Sequence, residues 1–296
     1  MKPTAYLVDA SVYVFRAWHS VPPEFNDIDG NPVHAVYGFT GFLITLLEQT
    51  RPGHLAVAFD ESLESSFRNE IYPPYKANRE PAPEELKHQF RLCQEVTEAL
   101  GLTPLVDSRY EADDIIGTLV HRLRRHGFRS VIVSPDKDLS QLLGEHDRQW
   151  DFARRERWGP EGVEAKFGVR PDQLADLLAL AGDSIDNIPG VPGIGVKTAA
   201  GLLRHFGSLD ALLARVEEVP FLSLRGAKAT HRKLREHADA ARLARRLTSV
   251  ALDAPAPDAP EAIAVRPVDL NRLDALFDRL RFGPLTRRRA REASRA

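Results

Sequence analysis

The chain has 296 residues, 43% of them hydrophobic, with 40 Lys and Arg against 42 Asp and Glu for a formal net charge of −2. That length buries a full core and suits two subdomains, and the near-neutral charge neither advertises nor excludes a nucleic-acid binder, because a basic face can oppose an acidic centre. A single cysteine, Cys93, excludes a disulfide framework and a thiolate metal site.

The opening MKPTAYLVDASVYVF interrupts its apolar run at Asp9 and lacks a signal-peptide layout. No later stretch approaches the roughly 18 apolar residues that span a bilayer, so no membrane association and a cytoplasmic location are expected. TAYLVD, HLAVAFD and RSVIVSPD are short apolar runs ending in Asp9, Asp60 and Asp136, and read as buried parallel strands. Helical patterns over 35–49, 83–100 and 112–126 lie between them, which predicts an α/β fold whose mostly parallel sheet is covered on both faces. FRNEIYPPYKANREPAP breaks that pattern and reads as an exposed segment entering a helix near Pro83 and Glu84. After Trp158 the texture turns helical, and in SIDNIPGVPGIGVKTAAGLLRHFGSLDALL the turn Pro189–Gly195 separates two amphipathic helices. DAPAPDAPE (253–261) is an extended Ala/Pro connector, RLDALFDRLRFGPL a last amphipathic helix, and TRRRAREASRA a basic tail expected to fray.

Nine acids stand where apolar runs stop or helices start: Asp9, Asp60, Glu111, Asp113, Asp114, Asp136, Asp138, Asp183 and Asp186. Carboxylates about 4 Å apart repel by roughly 4 kcal/mol at an effective dielectric of about 20, so a crevice full of them calls for divalent cations. Oxygen ligands without paired Cys or His point to Mg²⁺ or Mn²⁺. Glu111 and Asp114 are three apart on one face of a starting helix, Asp183 and Asp186 are three apart on a turn after a helix, and Asp136 and Asp138 are two apart after a strand. Acids at a helix start also serve the macrodipole, the plainer reading of YEADD. Without a His or Ser partner the set does not suit a nucleophilic triad. It suits two divalent ions that activate water against a phosphodiester. For the phosphate, Arg16, Lys76 and Arg79 are candidate cations, and Tyr72 or Tyr75 could stack on an unpaired base. The glycines of IPGVPGIGVKT let backbone N–H groups approach phosphates without sequence preference, with Lys197 adding charge.

YKANR, YEADD, SPDKDLSQLL and GDSIDNIPGVPGIGVKTA, in this order, closely resemble the 5′-nuclease family. Its members are the 5′→3′ exonuclease domain of bacterial DNA polymerase I, the stand-alone bacterial and phage flap endonucleases, and more distantly the eukaryotic flap endonucleases. The resemblance runs from about Tyr6 to Leu285. It implies a PIN-like 5′-nuclease fold: an amino-terminal nuclease domain over 1–166 with a helical arch over about 67–100, a helix–three-turn–helix DNA-binding module over 167–261, a returning helix over 262–286 and the tail 287–296. It also implies that Asp9, Asp60, Glu111, Asp113, Asp114, Asp136 and Asp138 are metal-binding acids, completed by Asp183 and Asp186. Lys76 and Arg79 match arch cations that meet the scissile phosphate, Arg16 a basic residue near the first aspartate. Gly190, Gly193, Gly195 and Lys197 match the helix–three-turn–helix, where family members often hold a K⁺ ion through backbone carbonyls. Ala10 departs from the Gly that usually follows the first Asp.

The expected protein is a stand-alone, monomeric, Mg²⁺-dependent 5′→3′ exonuclease and flap endonuclease, with Mn²⁺ able to substitute. Its expected substrates are DNA with 5′ flaps, nicks or free 5′ ends, with RNA primers as further candidates, in DNA replication or repair. Two alternatives stand beside it: a non-catalytic flap- or junction-binding protein on the same fold, and a PIN-type ribonuclease.

Overall fold

A computed structural model describes residues 2–60 and 66–293; Glu61 and Ser62 of VAFDES and the last three residues of the basic tail lie outside them. In chain order the elements are β1 (Thr4–Asp9), α1 (Ala10–Ser20), α2 (His34–Thr50), β2 (His54–Asp60), α3 (Phe67–Ile71), α4 (Glu84–Ala99), β3 (Thr103–Asp107), α5 (Ala112–Arg125) and β4 (Arg129–Val133). There follow β5 (Arg148–Asp151), β6 (Glu156–Trp158), α6 (Pro160–Phe167), α7 (Leu174–Ala181), α8 (Val196–Phe206) and α9 (Leu209–Ala214). The last are α10 (Ala227–Glu236), α11 (Ala238–Thr248), α12 (Leu270–Arg279) and α13 (Pro284–Ala293). Among the described residues no helix is long and apolar enough to cross a membrane.

Packing divides the chain into two units. The first takes the described residues of 1–64, 81–135 and 251–296, and the second those of 65–80 and 136–250. Residues 136–166 pack with the helices that follow them. The span expected as one arch is shared: 67–80 belongs to the second unit and α4 to the first.

In the first unit four parallel strands lie in the order β3-β2-β1-β4. Leu7, Val8, Val57, Phe59, Ile132 and Val133 are wholly buried, which is why these strands read as continuous apolar runs. Each such side chain contributes about 1.5–3 kcal/mol on burial. The register sets Asp9 beside Ala58 and Asp60 beside Asp107, so the carboxyl ends of β1, β2 and β3 share one edge. Open parallel sheets place their ligands at that edge. Gln89 of α4 accepts the Ala35 and Val36 N–H groups at 2.8 and 3.3 Å, satisfying donors at the start of α2. The Ala/Pro connector is fixed along α5: the Ala256 carbonyl accepts from Arg122, and the Ala254 N–H donates to Thr118 Oγ1 at 3.0 Å.

The carboxy-terminal segment expected to fray is helical as α13, up to Ala293. Its arginines have acidic partners: Arg289 forks onto Glu48 at 3.0 and 2.7 Å, Arg291 meets Asp274 at 2.5 Å and Arg287 meets Asp278 at 2.7 Å. Ala290 between them is fully buried. Tertiary ion pairs and one buried alanine thus order a sequence whose local signal was only charge.

The second unit holds an antiparallel β5–β6 hairpin that the sequence pattern did not announce, with the Arg157 guanidinium 3.6 Å over the Trp150 ring. Its helical core packs α7 against α11 through Leu177, Leu180 and Leu247, with Leu202 and Leu203 from α8. Gln173 donates to the Leu203 and Gly207 carbonyls at 3.0 and 2.9 Å, closing α8. Arg68 is buried and donates to the Leu247 and Ser249 carbonyls at 2.9 and 2.8 Å. A cation on carbonyls at the end of α11 satisfies acceptors that the helix cannot, and it fastens α3 and the turn after it to the core.

Candidate active site

Four expected acids of the first unit take part in hydrogen bonds that place them at strand ends and at the start of α5. Asp9, at the end of β1, accepts from Ser134 Oγ at 2.9 Å. Asp60, at the end of β2, accepts from Ser11 Oγ at 2.5 Å and from the Ala112 N–H at 2.8 Å. The second of these bonds seats the start of α5 against β2. Glu111 and Asp114 form a capping pair, with the Glu111 N–H donating to Asp114 Oδ2 at 3.1 Å. Asp114 is fully buried, and its other oxygen accepts from the Ala251 N–H at 2.8 Å. These bonds tie the start of α5 to the returning chain. Asp113 and Glu111 are half-buried at the same helix start, and Arg16 is exposed on α1.

The second unit holds a denser cluster. Asp136 accepts from the Asp138 N–H at 2.9 Å, so the two acids of SPDKD face one another across a tight turn. Lys137 between them turns inward: its Nζ lies 2.6 Å from Asp183 Oδ2 and 3.2 Å from Asp138 Oδ1. Burial works against the ammonium, yet Asp138 and Asp183 outweigh it and raise the lysine above its ordinary value. Burial, then the Asp136 and Asp183 carboxylates, push the Asp138 carboxyl up to about 7 against the pull of Lys137.

That shift has a thermodynamic sign. An acid whose folded value exceeds its ordinary value binds its proton more tightly in the native state, so stability falls as pH rises between about 4 and about 7. In chelator, the Tm of the wild type relative to Asp138→Asn is expected to drop across that window in scanning calorimetry. A difference that stays flat or climbs would place Asp138 as an ionised carboxylate throughout.

Asp183 and Asp186 lie on the turn after α7 and point to different partners. The Asp183 N–H donates to the Ile188 carbonyl at 2.9 Å and the Ile188 N–H returns to the Asp183 carbonyl at 2.8 Å, closing a turn in which the two acids serve different partners. Asp183 is buried on Lys137 and also accepts from the Ile185 N–H at 2.9 Å. Asp186 takes Arg79 at 2.5 Å and the Tyr75 hydroxyl at 3.3 Å. Its carbonyl accepts from the Lys76 N–H at 3.0 Å. Asn78 donates to the Ser184 carbonyl at 3.1 Å and Asn187 to the Pro74 carbonyl at 2.6 Å. YPPYKANR and DSIDN are therefore one interlocked substructure. The base-stacking role expected of Tyr75 is not open to it, because the ring is buried in the core of its unit. Tyr72 is half-buried, Arg79 is exposed, and Lys76 holds a left-handed backbone with φ +54°.

In the glycine turn Gly190 has a packing role. A Cβ there would come within 2.7 Å of the Leu180 carbonyl oxygen and crowd Gly182, so the turn crosses the end of α7 only as glycine. Gly193, with φ +72°, and Gly195 are exposed, as is Lys197. Lys233 from α10, which the sequence reading passed over, brings its ammonium against Gly193; the run AKATHRKLRE was the signal available.

No group of three or more His, Cys, Asp or Glu among the described residues stands ready-made as a metal cage. The second-unit acids nonetheless fit a hard divalent cation. Asp136, Asp138 and Asp183 crowd together as oxygen donors, and two of them already share one positive charge.

Residues 4–168 match the 5′-3′ exonuclease, N-terminal resolvase-like domain, and residues 169–271 the 5′-3′ exonuclease, C-terminal SAM fold. DNA polymerase I of Rhizobium leguminosarum is 40% identical over 290 residues, which cover 96% of this chain and 28% of that protein. DNA polymerase I of Bacillus caldotenax is 39% identical over 287 residues, 95% of this chain and 32% of that protein. The chain thus spans about three tenths of the length of these relatives. Among solved structures, the T5 D15 protein co-crystallised with metal ions aligns with a TM-score of 0.67 at 21% identity, over 94% of this chain and 98% of that one. The catalytic core of Rad2 in complex with DNA substrate aligns with a TM-score of 0.63 at 15% identity, over 99% and 91%. The structural likeness carries the fold; with two successive family matches and polymerase relatives at about 40% identity, the chain belongs to the 5′-3′ exonuclease family.

Proposed function

We propose that this protein is a divalent-metal-dependent, structure-specific 5′ nuclease that hydrolyses phosphodiesters near the 5′ ends and flaps of duplex DNA. The observation that carries the reading is the crowding of Asp138 by Asp136 and Asp183, with a single ammonium shared between Asp138 and Asp183. Family membership supports the same chemistry, as do the solved neighbours described with metal ions and with DNA substrate.

Asp9, Asp60, Glu111 and Asp113 in the first unit, and Asp136, Asp138 and Asp183 in the second, would hold Mg²⁺ or Mn²⁺. Such ions lower the pKa of a bound water and neutralise charge on a phosphodiester. Asp114 positions Glu111 and Asp113 rather than binding metal. Lys76, Arg79 and Arg16 meet phosphate oxygens, and Arg79 exchanges Asp186 for phosphate when DNA arrives. The exposed backbone at Gly193 and Gly195, with Lys197 and Lys233, grips a phosphate backbone without sequence preference. K⁺ at the carbonyls of this turn is part of the same proposal. Terminal nucleotides must unpair to be cut, which costs a few kcal/mol and least at a frayed end, so ends and junctions are preferred over intact duplex.

The test is a panel of end-labelled 5′-flap, nicked, blunt and RNA-primed duplexes with Mg²⁺, Mn²⁺ or chelator. Cleavage at flaps and 5′ ends with either metal, and none in chelator, is expected. Flap binding without product in both metals would identify a non-catalytic binder, and cleavage in chelator would end the metal assignment.

A further inference from the structure

Lys137 stands out because it points the wrong way for a surface lysine. It follows Asp136 and precedes Asp138 in a short turn, yet its ammonium is directed into the cluster, 2.6 Å from Asp183 Oδ2 and 3.2 Å from Asp138 Oδ1. Asp183 is nearly inaccessible, with 5% of its side chain exposed, whereas 31% of the Lys137 side chain remains open. A buried carboxylate with no cation is strongly unfavourable, and its partner's removal costs more than the pair contributes. The four-carbon lysine stem is flexible and its head is a compact point charge, so the ammonium can leave for water without moving the backbone. Asp136 already fixes the turn through the Asp138 N–H, so the backbone does not depend on the lysine.

We propose that Lys137 is a resident cation of the Asp138–Asp183 pair, a positioning residue that holds both carboxylates in place until a divalent ion displaces its ammonium into solvent. The proposal rests on the reading of these acids as metal ligands. Lys137 thereby prevents the acids from splaying in the metal-free protein. It also sets a threshold for metal entry, because the incoming ion must replace an existing ion pair. The exchange balances in kind: one positive charge leaves the pair as the divalent ion enters, and the lysine is rehydrated outside.

The experiment compares wild type with Lys137→Met and Lys137→Arg in Mn²⁺ titrations followed by the spin resonance of free Mn²⁺, at about pH 8 where exposed carboxylates are ionised. Thermal unfolding is measured with and without the metal. Lys137→Met is expected to bind Mn²⁺ about tenfold more tightly at one of its affinities, equivalent to about 1.4 kcal/mol. Its Tm in chelator should fall, and saturating Mn²⁺ should restore it. Lys137→Arg, which keeps a cation, should stay near wild type in affinity. Unchanged or weaker Mn²⁺ binding by Lys137→Met would overturn the proposal and leave Lys137 an ordinary structural ion pair. Absence of Mn²⁺ binding by both wild type and Lys137→Met would instead overturn the metal reading itself, and this proposal with it.

Discussion

Replacing Asp183 by Asn is expected to abolish Mg²⁺-dependent cleavage of a labelled 5′-flap duplex while the flap is still bound. The substitution separates charge from fold. Asn keeps an oxygen that can accept the Ile185 N–H now bonded at 2.9 Å to Asp183, and the backbone bridge between residues 183 and 188 uses no side chain. What disappears is the negative charge that Lys137 now answers at 2.6 Å. Loss of a group that merely orients a metal ligand costs about 10–100-fold in metal affinity or activity. Loss of a ligand should exceed that, so single-turnover cleavage is expected to fall by more than about a hundredfold. DNA affinity in Ca²⁺, measured by fluorescence anisotropy, should change little, because most of it comes from phosphate contacts elsewhere. Near-normal cleavage by Asp183→Asn would remove Asp183 from the metal ligands. Cleavage and binding lost together would indicate a broken turn, to be checked by thermal unfolding.

The parallel strands were legible because both their faces are buried, which writes an unbroken apolar run ending in Asp9 or Asp60. Helices over residues 34–50 and 112–125 followed from their period, to within a residue at either end. The candidate acids were legible as a set, but their individual jobs were not. On a turn, three residues apart fixes no common face, so the spacing left open that Asp183 turns to Lys137 and Asp186 to Arg79. For Asp114, sequence cannot show that backbone N–H groups donate to both its oxygens. Tyr75 looked available for stacking because an aromatic beside a lysine reads the same whether exposed or buried; the core that buries it is built mostly from residues between Val169 and Leu247, far along the chain. Lys137 was invisible for a related reason. A lysine between two aspartates reads as solvated charge, and only the distant Asp183 reveals that it points inward.

Lys76→Ala should slow the single-turnover rate by about 10²–10³-fold while flap affinity changes by less than about threefold, the pattern of a cation that acts on the charge developing at the reacting phosphate. The structure prepares that role through the backbone. The Lys76 N–H is held by the Asp186 carbonyl at 3.0 Å, and its φ of +54° is a conformation that non-glycine residues adopt only under constraint. Five contacts between YPPYKANR and DSIDN, from residues 74, 75, 76, 78 and 79, supply the constraint. Strain is then a rival explanation for any loss, since alanine at positive φ carries it too. Lys76→Gly distinguishes the two: glycine relieves the backbone and still lacks the ammonium, so the same loss in both variants assigns the effect to charge. Lys197→Ala provides the opposite pattern. As an exposed cation beside the glycine turn it should lower affinity and reduce the salt slope by about one phosphate contact, with the saturated rate unchanged. If Lys76→Ala instead behaves like Lys197→Ala, the YKANR cation is a grip on the DNA backbone and the charge of the reacting phosphate must be met elsewhere, with Arg79 the next candidate because its guanidinium is already exposed and its ion pair with Asp186 is open to exchange.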